Sequence, residues 1–137
     1  MPTPVIRVLV VDDFEPWRGL LRTLLRERPE WQIVCEVSDG LDAVREAGDL
    51  QPDLILLDIG LPGLNGIEAA RRIRALAPTS RIVFVTENYS ADMATTAMTT
   101  GAYGYVLKSD AGSDLVDAVE AAVEGRQFVS ARLALPE

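Results

Sequence analysis

The chain has no histidine anywhere in its 137 residues. Ser-His-Asp and Cys-His catalysis, imidazole metal ligation and phosphohistidine chemistry are therefore excluded within it. It has one cysteine, Cys35, so no intramolecular disulfide can form. In its apolar stretch Cys35 reads as a small buried hydrophobe. A lone cysteine suits a reducing compartment. The sequence holds no signal-peptide pattern and no apolar run long enough to span a bilayer. A cytoplasmic location is expected, with no membrane partner. Lysine is nearly absent too. Of the 13 basic residues, 12 are arginine, and the single lysine is Lys108. Positive charge is scarce overall, with a formal net charge of −8. Non-specific nucleic-acid binding needs a basic face, so this chain alone is not expected to bind DNA. Chemistry here must rest on carboxylates, hydroxyls, backbone groups and that one lysine.

A hydrophobic share of 48% is enough for a real core in one domain. The central stretch is Pro52 to Gly66, PDLILLDIGLPGLNG. Its apolar run Leu54 to Leu57 stops on Asp58, and a Gly/Pro loop leads to a helix-like pattern. Taken alone, an Asp after a strand is most simply a turn or helix cap. Similar units fill the rest of the chain. Ile6 to Val11 is a strand buried on both faces, ending at Asp12-Asp13. An amphipathic helix follows, with Trp17, Leu20, Leu21, Leu24 and Leu25 inward and Arg18, Arg22 and Arg26 outward. Trp31 to Val37 is a second strand, before a helix with Leu41, Val44 and Gly48 on one side. The helix from Gly66 to Leu76 turns Ile67, Ala70 and Ile73 inward. Arg81 to Thr86 is a fourth strand, ending on a hydroxyl. Ala91 to Thr100 is a weak helix, rich in threonine and thin in apolar surface. Ala102 to Leu107 is a fifth strand ending at Lys108, and Asp114 to Glu124 a last helix with Leu115, Val116, Val119, Ala122 and Val123 inward.

Strict strand–helix alternation, five times over, predicts an α/β domain of (βα)5 form. Its sheet is parallel, with helices on both faces and right-handed crossovers. In such a sheet all strand C-termini share one edge, where ligands bind. Asp12-Asp13, Asp58, Thr86 and Lys108 end four of the five strands, so they should converge. Strand two ends without such a group, which suits an outer strand, while Asp58 should end a central one. Clustered carboxylates repel unless a cation joins them. Magnesium suits one or two carboxylates plus a phosphoryl ligand. Lys108 and Thr86 then offer a positive charge and a hydrogen-bond donor for an oxyanion, the equipment of phosphoryl transfer. A carboxylate, Asp58, is the candidate nucleophile. Singly, each residue has a plainer reading: Asp12-Asp13 as a helix cap, Thr86 as a strand-end β-former, Lys108 as chance. Jointly those readings become improbable.

VVDD at Val10 to Asp13, DIGLPGLNG at Asp58 to Gly66, VT at Val85-Thr86 and GYVLK at Gly104 to Lys108 complete a pattern. In order and spacing the chain resembles the receiver (CheY-like) domain of two-component response regulators. GAYGYVLK and the tail GRQFVSARLA resemble the LuxR-type subfamily. The resemblance implies a flavodoxin-like, doubly wound fold with five strands in the order 2-1-3-4-5. Residues 1–5 would be a leader, 6–125 the receiver, and 126–137 a tail or the start of a linker to an output domain outside this chain. Asp58 would accept phosphate from a sensor histidine kinase. Asp13, Asp58 and the backbone carbonyl of Gly60 would hold Mg2+, with Asp12 acting through water. Lys108 and Thr86 would contact phosphoryl oxygens, and Tyr105 would turn inward behind Thr86. The Thr-rich helix, fifth strand and last helix would form the output surface, with a homodimer through that surface as a candidate assembly.

Three departures from the family's usual pattern involve four positions. Ser109 follows Lys108 where many receivers have proline. Glu87 follows Thr86 where a small residue is usual, and is expected to slow transfer by adding negative charge at the site. Gly60 and Asn88, at positions that tune phosphate lifetime, offer little to hold an attacking water. The leading expectation is a phosphorylation-controlled switch, an enzyme only toward its own phosphoryl group. Two alternatives remain open: an aspartyl-phosphate phosphatase, disfavoured by glycine at position 60, and a phosphate-independent interaction module.

Overall fold

Six parallel strands form one sheet in the computed structural model, which describes residues 4–133. The strands are β1 (Ile6–Val11), β2 (Trp31–Val37), β3 (Leu54–Leu57), β4 (Arg81–Thr86), β5 (Gly104–Leu107) and β6 (Phe128–Val129). The helices are α1 (Glu15–Leu25), α2 (Gly40–Leu50), α3 (Gly66–Leu76), α4 (Ala91–Met98) and α5 (Ala111–Val123). Strand order is β2-β1-β3-β4-β5-β6. The expected doubly wound order 2-1-3-4-5 is present, with β2 at the edge and β3 inside. The first three residues of the expected leader and the last four of the tail, Leu135 among them, lie outside the described residues.

Alternation along the strands builds two cores. Leu9, Val11, Ile55, Leu57, Ile82, Phe84, Tyr105 and Leu107 face α2, α3 and α4. Val8, Val10, Leu54, Leu56, Val83, Val85 and Val106 face α1 and α5. Near-continuous apolar runs in the inner strands, as in β3, are what a sheet covered on both faces requires. Small residues bring the helices close. At Gly40 a Cβ would stand 1.8 Å from the Leu64 carbonyl oxygen, so α2 can begin there only with glycine. Of the helices without a basic residue in their last turn, α2 and α5 are capped from a distance. Arg7 of β1 donates to the Leu50 carbonyl at the end of α2, at 2.8 Å. Arg81 of β4 donates to the Ala122 and Val123 carbonyls ending α5, at 2.6 and 2.7 Å. Both satisfy carbonyls that helix ends leave without an intrahelical partner.

Several sequence expectations shift. Leu20 and Val123, expected inward, are 43% and 37% exposed, and Leu41, expected on one side of its helix with Val44 and Gly48, is 55% exposed. In α1 the inward arc is narrow: Leu21 and Leu25 are buried, and Trp17 and Leu24 pack at its margins. In α2 the inward face is Gly40, Ala43 and Ala47, since close approach admits only small side chains. Leu41 lies instead against Gly63 of the Asp58 loop. Cys35 is half-buried on edge strand β2, where only one side is covered. The fourth helix ends at Met98, the fifth strand begins at Gly104, and the last helix begins at Ala111.

The sheet exceeds the five expected strands by one. Phe128 and Ser130 donate backbone hydrogen bonds to the carbonyls of Tyr103 and Tyr105, at 2.9 and 3.0 Å, making β6 parallel to β5. Buried Ser130 accepts from the Leu107 amide and donates to Asp114, both at 3.0 Å. Leu133 joins the core that holds Tyr105, Ala94 and Ala97. A two-residue strand carries no periodicity that a sequence could reveal.

Candidate functional site

Strand C-termini place the polar residues on one edge, as their positions predict. Asp12 and Asp13 follow β1, Asp58 follows β3, Thr86 ends β4 and Lys108 follows β5. Carboxylate oxygens of Asp12, Asp13 and Asp58, one from each, lie within 4.8 Å of one another. A cleft of about 480 Å³ opens over them, lined by Asp13, Phe14, Asp58, Ile59, Gly60, Thr86, Glu87, Asn88 and Lys108.

Asp58 is buried, and its Oδ1 accepts from the Ile59 amide at 2.7 Å. Gly66 fixes the chain behind it. The Gly66 amide donates to the Ile59 carbonyl at 2.8 Å, and a Cβ on Gly66 would meet the Asp58 carbonyl oxygen. Asn65 caps α3 by accepting from the Glu68 amide at 3.0 Å, which ends the loop begun at Asp58.

Lys108 Nζ stands 2.6 Å from Asp12 Oδ2 and 3.4 Å from Asp58 Oδ2. Asp12 Oδ2 is buried, and the Lys108 ammonium is its close charged partner. Asp12 Oδ1 accepts from the Phe14 amide at 2.9 Å. Burial pushes the Asp12 carboxyl up from the ordinary range, and the Asp58 charge adds to this against the Lys108 and Phe14 contacts. Burial pulls the Lys108 ammonium down, but Asp12 and Asp58 outweigh it and hold it above its ordinary value. Three acids with one ammonium leave an excess of negative charge. Three carboxylates with oxygens within 4.8 Å of one another, at the floor of an open cleft, fit a hard divalent cation.

Thr86 is buried, and its Oγ1 accepts from the Asn88 amide at 3.2 Å. Tyr105 lies fully inward on β5, and its hydroxyl donates to the Asn88 carbonyl at 2.6 Å. Burial, with a contribution from the Asp58 charge, pushes its phenol up to about 12. Glu87 and Asn88 are exposed on the cleft wall. Gly60 is exposed, and a Cβ there would meet nothing within 4 Å. The Lys108–Ser109 peptide bond is trans, within a short 3-10 turn, Lys108–Asp110.

Residues 8–120 match the model of the response regulator receiver domain. The chain is a receiver domain of the response-regulator family. It is 34% identical over 130 residues to the transcriptional regulatory protein LiaR of Bacillus subtilis, covering 95% of this chain and 62% of LiaR. To the nitrate/nitrite response regulator protein NarL of Escherichia coli it is 36% identical, covering 92% of this chain and 58% of NarL. A crystal structure of a two-component response regulator of the LuxR family from Aurantimonas sp. SI85-9A1 superposes with TM-score 0.90. It is 37% identical, and the match covers 95% of this chain and 93% of that one. The receiver thus belongs with the LuxR-type regulators of two-component signalling, and it spans about three-fifths of the curated relatives' length. Among the described residues, no helix is long and apolar enough to cross a membrane.

Two features of this receiver's site lay outside the sequence reading. Trp17, read as core, packs its ring 5.1 Å from Lys108 Nζ. Gly66, read as a helix start, holds the Asp58 backbone. The DD-to-helix spacing puts an aromatic near the strand edge, but nothing in the sequence orients its ring.

Proposed function

We propose that this receiver is a phosphorylation-controlled switch that takes a phosphoryl group onto Asp58. The observation that carries the reading is Asp58 itself, buried beneath an open cleft with a lysine ammonium 3.4 Å from its carboxylate. A lone pair on the Asp58 carboxylate attacks phosphorus. An O–P bond forms as the P–N bond to a kinase phosphohistidine breaks, and the electron pair stays on the imidazole. The Lys108 ammonium offsets charge on the phosphoryl oxygens. Thr86 already accepts from Asn88, so its own hydroxyl proton is available to a second oxygen. Such positioning and charge neutralisation is what phosphoryl transfer needs from a protein.

Asp13, Asp58 and the Gly60 carbonyl would hold Mg2+, with Asp12 behind them. When bound, the ion would neutralise the carboxylates and the incoming phosphoryl charge. Once Thr86 turns toward phosphate, space opens beside Tyr105, whose hydroxyl is anchored to the Asn88 carbonyl two residues past Thr86. The α4-β5-α5 surface then changes, either for a homodimer or for an output domain beyond this chain, as the regulator names of its relatives suggest. The receiver catalyses only its own phosphorylation and dephosphorylation, and its location is cytoplasmic. The unit begins at residue 6 and reaches past 125, since β6 and Leu133 pack onto it. Labelling by a small phosphodonor with magnesium, and none with a chelator, is the expected result; metal-independent labelling would contradict it.

A further inference from the structure

We propose that Trp17 is a positioning residue for Lys108, which deepens the phosphoryl-transfer reading and rests on it. Lys108 projects from the end of β5 into a site where its other close partners are acids. Asp12 and Asp58 lie at 2.6 and 3.4 Å, and both belong to the carboxylate cluster that suits a divalent cation. Any cation there competes with the ammonium for those oxygens. Trp17 is different in kind. Its ring, from the first turns of α1, faces Nζ at 5.1 Å, and a π face attracts a cation without being a metal ligand. The Lys108 side chain is only 11% exposed, so water screens the contact weakly. Trp17 also walls the adjoining groove that Lys108 shares with Phe14 and Tyr89. The indole therefore holds the ammonium at the site mouth when the acids are otherwise engaged.

The indole N–H argues that packing alone does not explain tryptophan here. Trp17 Nε1 is buried and has no hydrogen-bond partner among the described residues. An unpaired buried donor is unfavourable. Phenylalanine would form a similar apolar wall without it, whereas indole presents the stronger face to a cation.

The test compares Trp17→Phe and Trp17→Leu with the parent chain, using acetyl phosphate at saturating magnesium and recording thermal midpoints. A positioning role predicts limiting rates in the order Trp, Phe, Leu, with the leucine variant roughly threefold to tenfold slower. The donor concentration for half-maximal rate should change little, and the thermal midpoint of Trp17→Phe should not fall in step with its rate. Parent-like labelling by Trp17→Leu would overturn the proposal, as would rates that simply track stability. Should Trp17→Leu fail to fold, Trp31→Phe leaves Trp17 as the sole tryptophan. Its emission should then shift on adding magnesium and phosphodonor, and unchanged emission in a chain that does label would overturn the proposal. Failure of the parent chain to label at all would instead overturn the phosphoryl-transfer reading.

Discussion

A Cβ on Gly66 would stand 2.0 Å from the carbonyl oxygen of Asp58. The first residue of α3 is thus pressed against the backbone of the candidate phosphoacceptor. The same glycine donates to the Ile59 carbonyl, closing the loop between them. Substituting Gly66→Ala must push that backbone away or open the helix start. We expect a stability loss of about 1–3 kcal/mol from overpacking, with a fall in Asp58 labelling. Gly60→Ala, where the added carbon meets nothing within 4 Å, is the control and should keep its stability. Denaturant unfolding of both variants checks this, and equal stabilities would contradict it.

Tyr105 ties stability to alkaline pH. Its phenol is pushed up to about 12 by burial, with the Asp58 charge adding. An unfolded tyrosine ionises near ~10, so above that pH the unfolded chain binds fewer protons than the folded one. Stability is then full below ~10 and falls as pH rises toward 12, by an amount on the order of 2–3 kcal/mol. Tyr105→Phe should flatten that part of the pH–stability curve. A parallel decline in both proteins would place the cause elsewhere.

Helix α4 should open before α1. It has eight residues and buries only Ala94 and Ala97, whereas α1 has eleven and buries Leu21 and Leu25. Thr95 bonds back to the Ala91 carbonyl at 2.9 Å, a contact that slightly weakens helices. Local stability follows buried contacts, and a switch needs an element with two arrangements of similar energy. Amide hydrogen exchange should show less protection in α4; equal protection would count against its role.

Glu87 should slow transfer. It is exposed at the cleft and has no ion-pair partner among the described residues. At ~7 Å and an effective dielectric of ~20–80, each charge pair with the incoming phosphoryl group contributes roughly 0.6–2.4 kcal/mol before salt screening. Glu87→Ala should raise the initial rate with acetyl phosphate several-fold, most at low salt. An unchanged rate would leave Glu87 a surface residue.

Much of this was legible because strand ends are legible. Apolar runs that stop on Asp12, Asp58, Thr86 and Lys108 give the sheet and its reactive edge together, since parallel strands share one C-terminal edge. The inward positions of Ile67, Ala70 and Ile73 followed from helical period alone. Leu20 and Leu41 did not follow, because period gives a face but not how wide an arc the neighbours cover. β6 was hidden by its length, and its hold on β5 depends on Ser130, a residue type common in loops. The Trp17–Lys108 contact needed the two strand-end neighbourhoods placed in space, for they are 91 positions apart in the sequence.

The central claim is most directly tested by intact mass. The parent chain and Asp58→Asn are incubated with acetyl phosphate and magnesium, then weighed. The account predicts one phosphoryl group on the parent chain and none on the variant, with both equally folded. Equal phosphorylation of the two would contradict it.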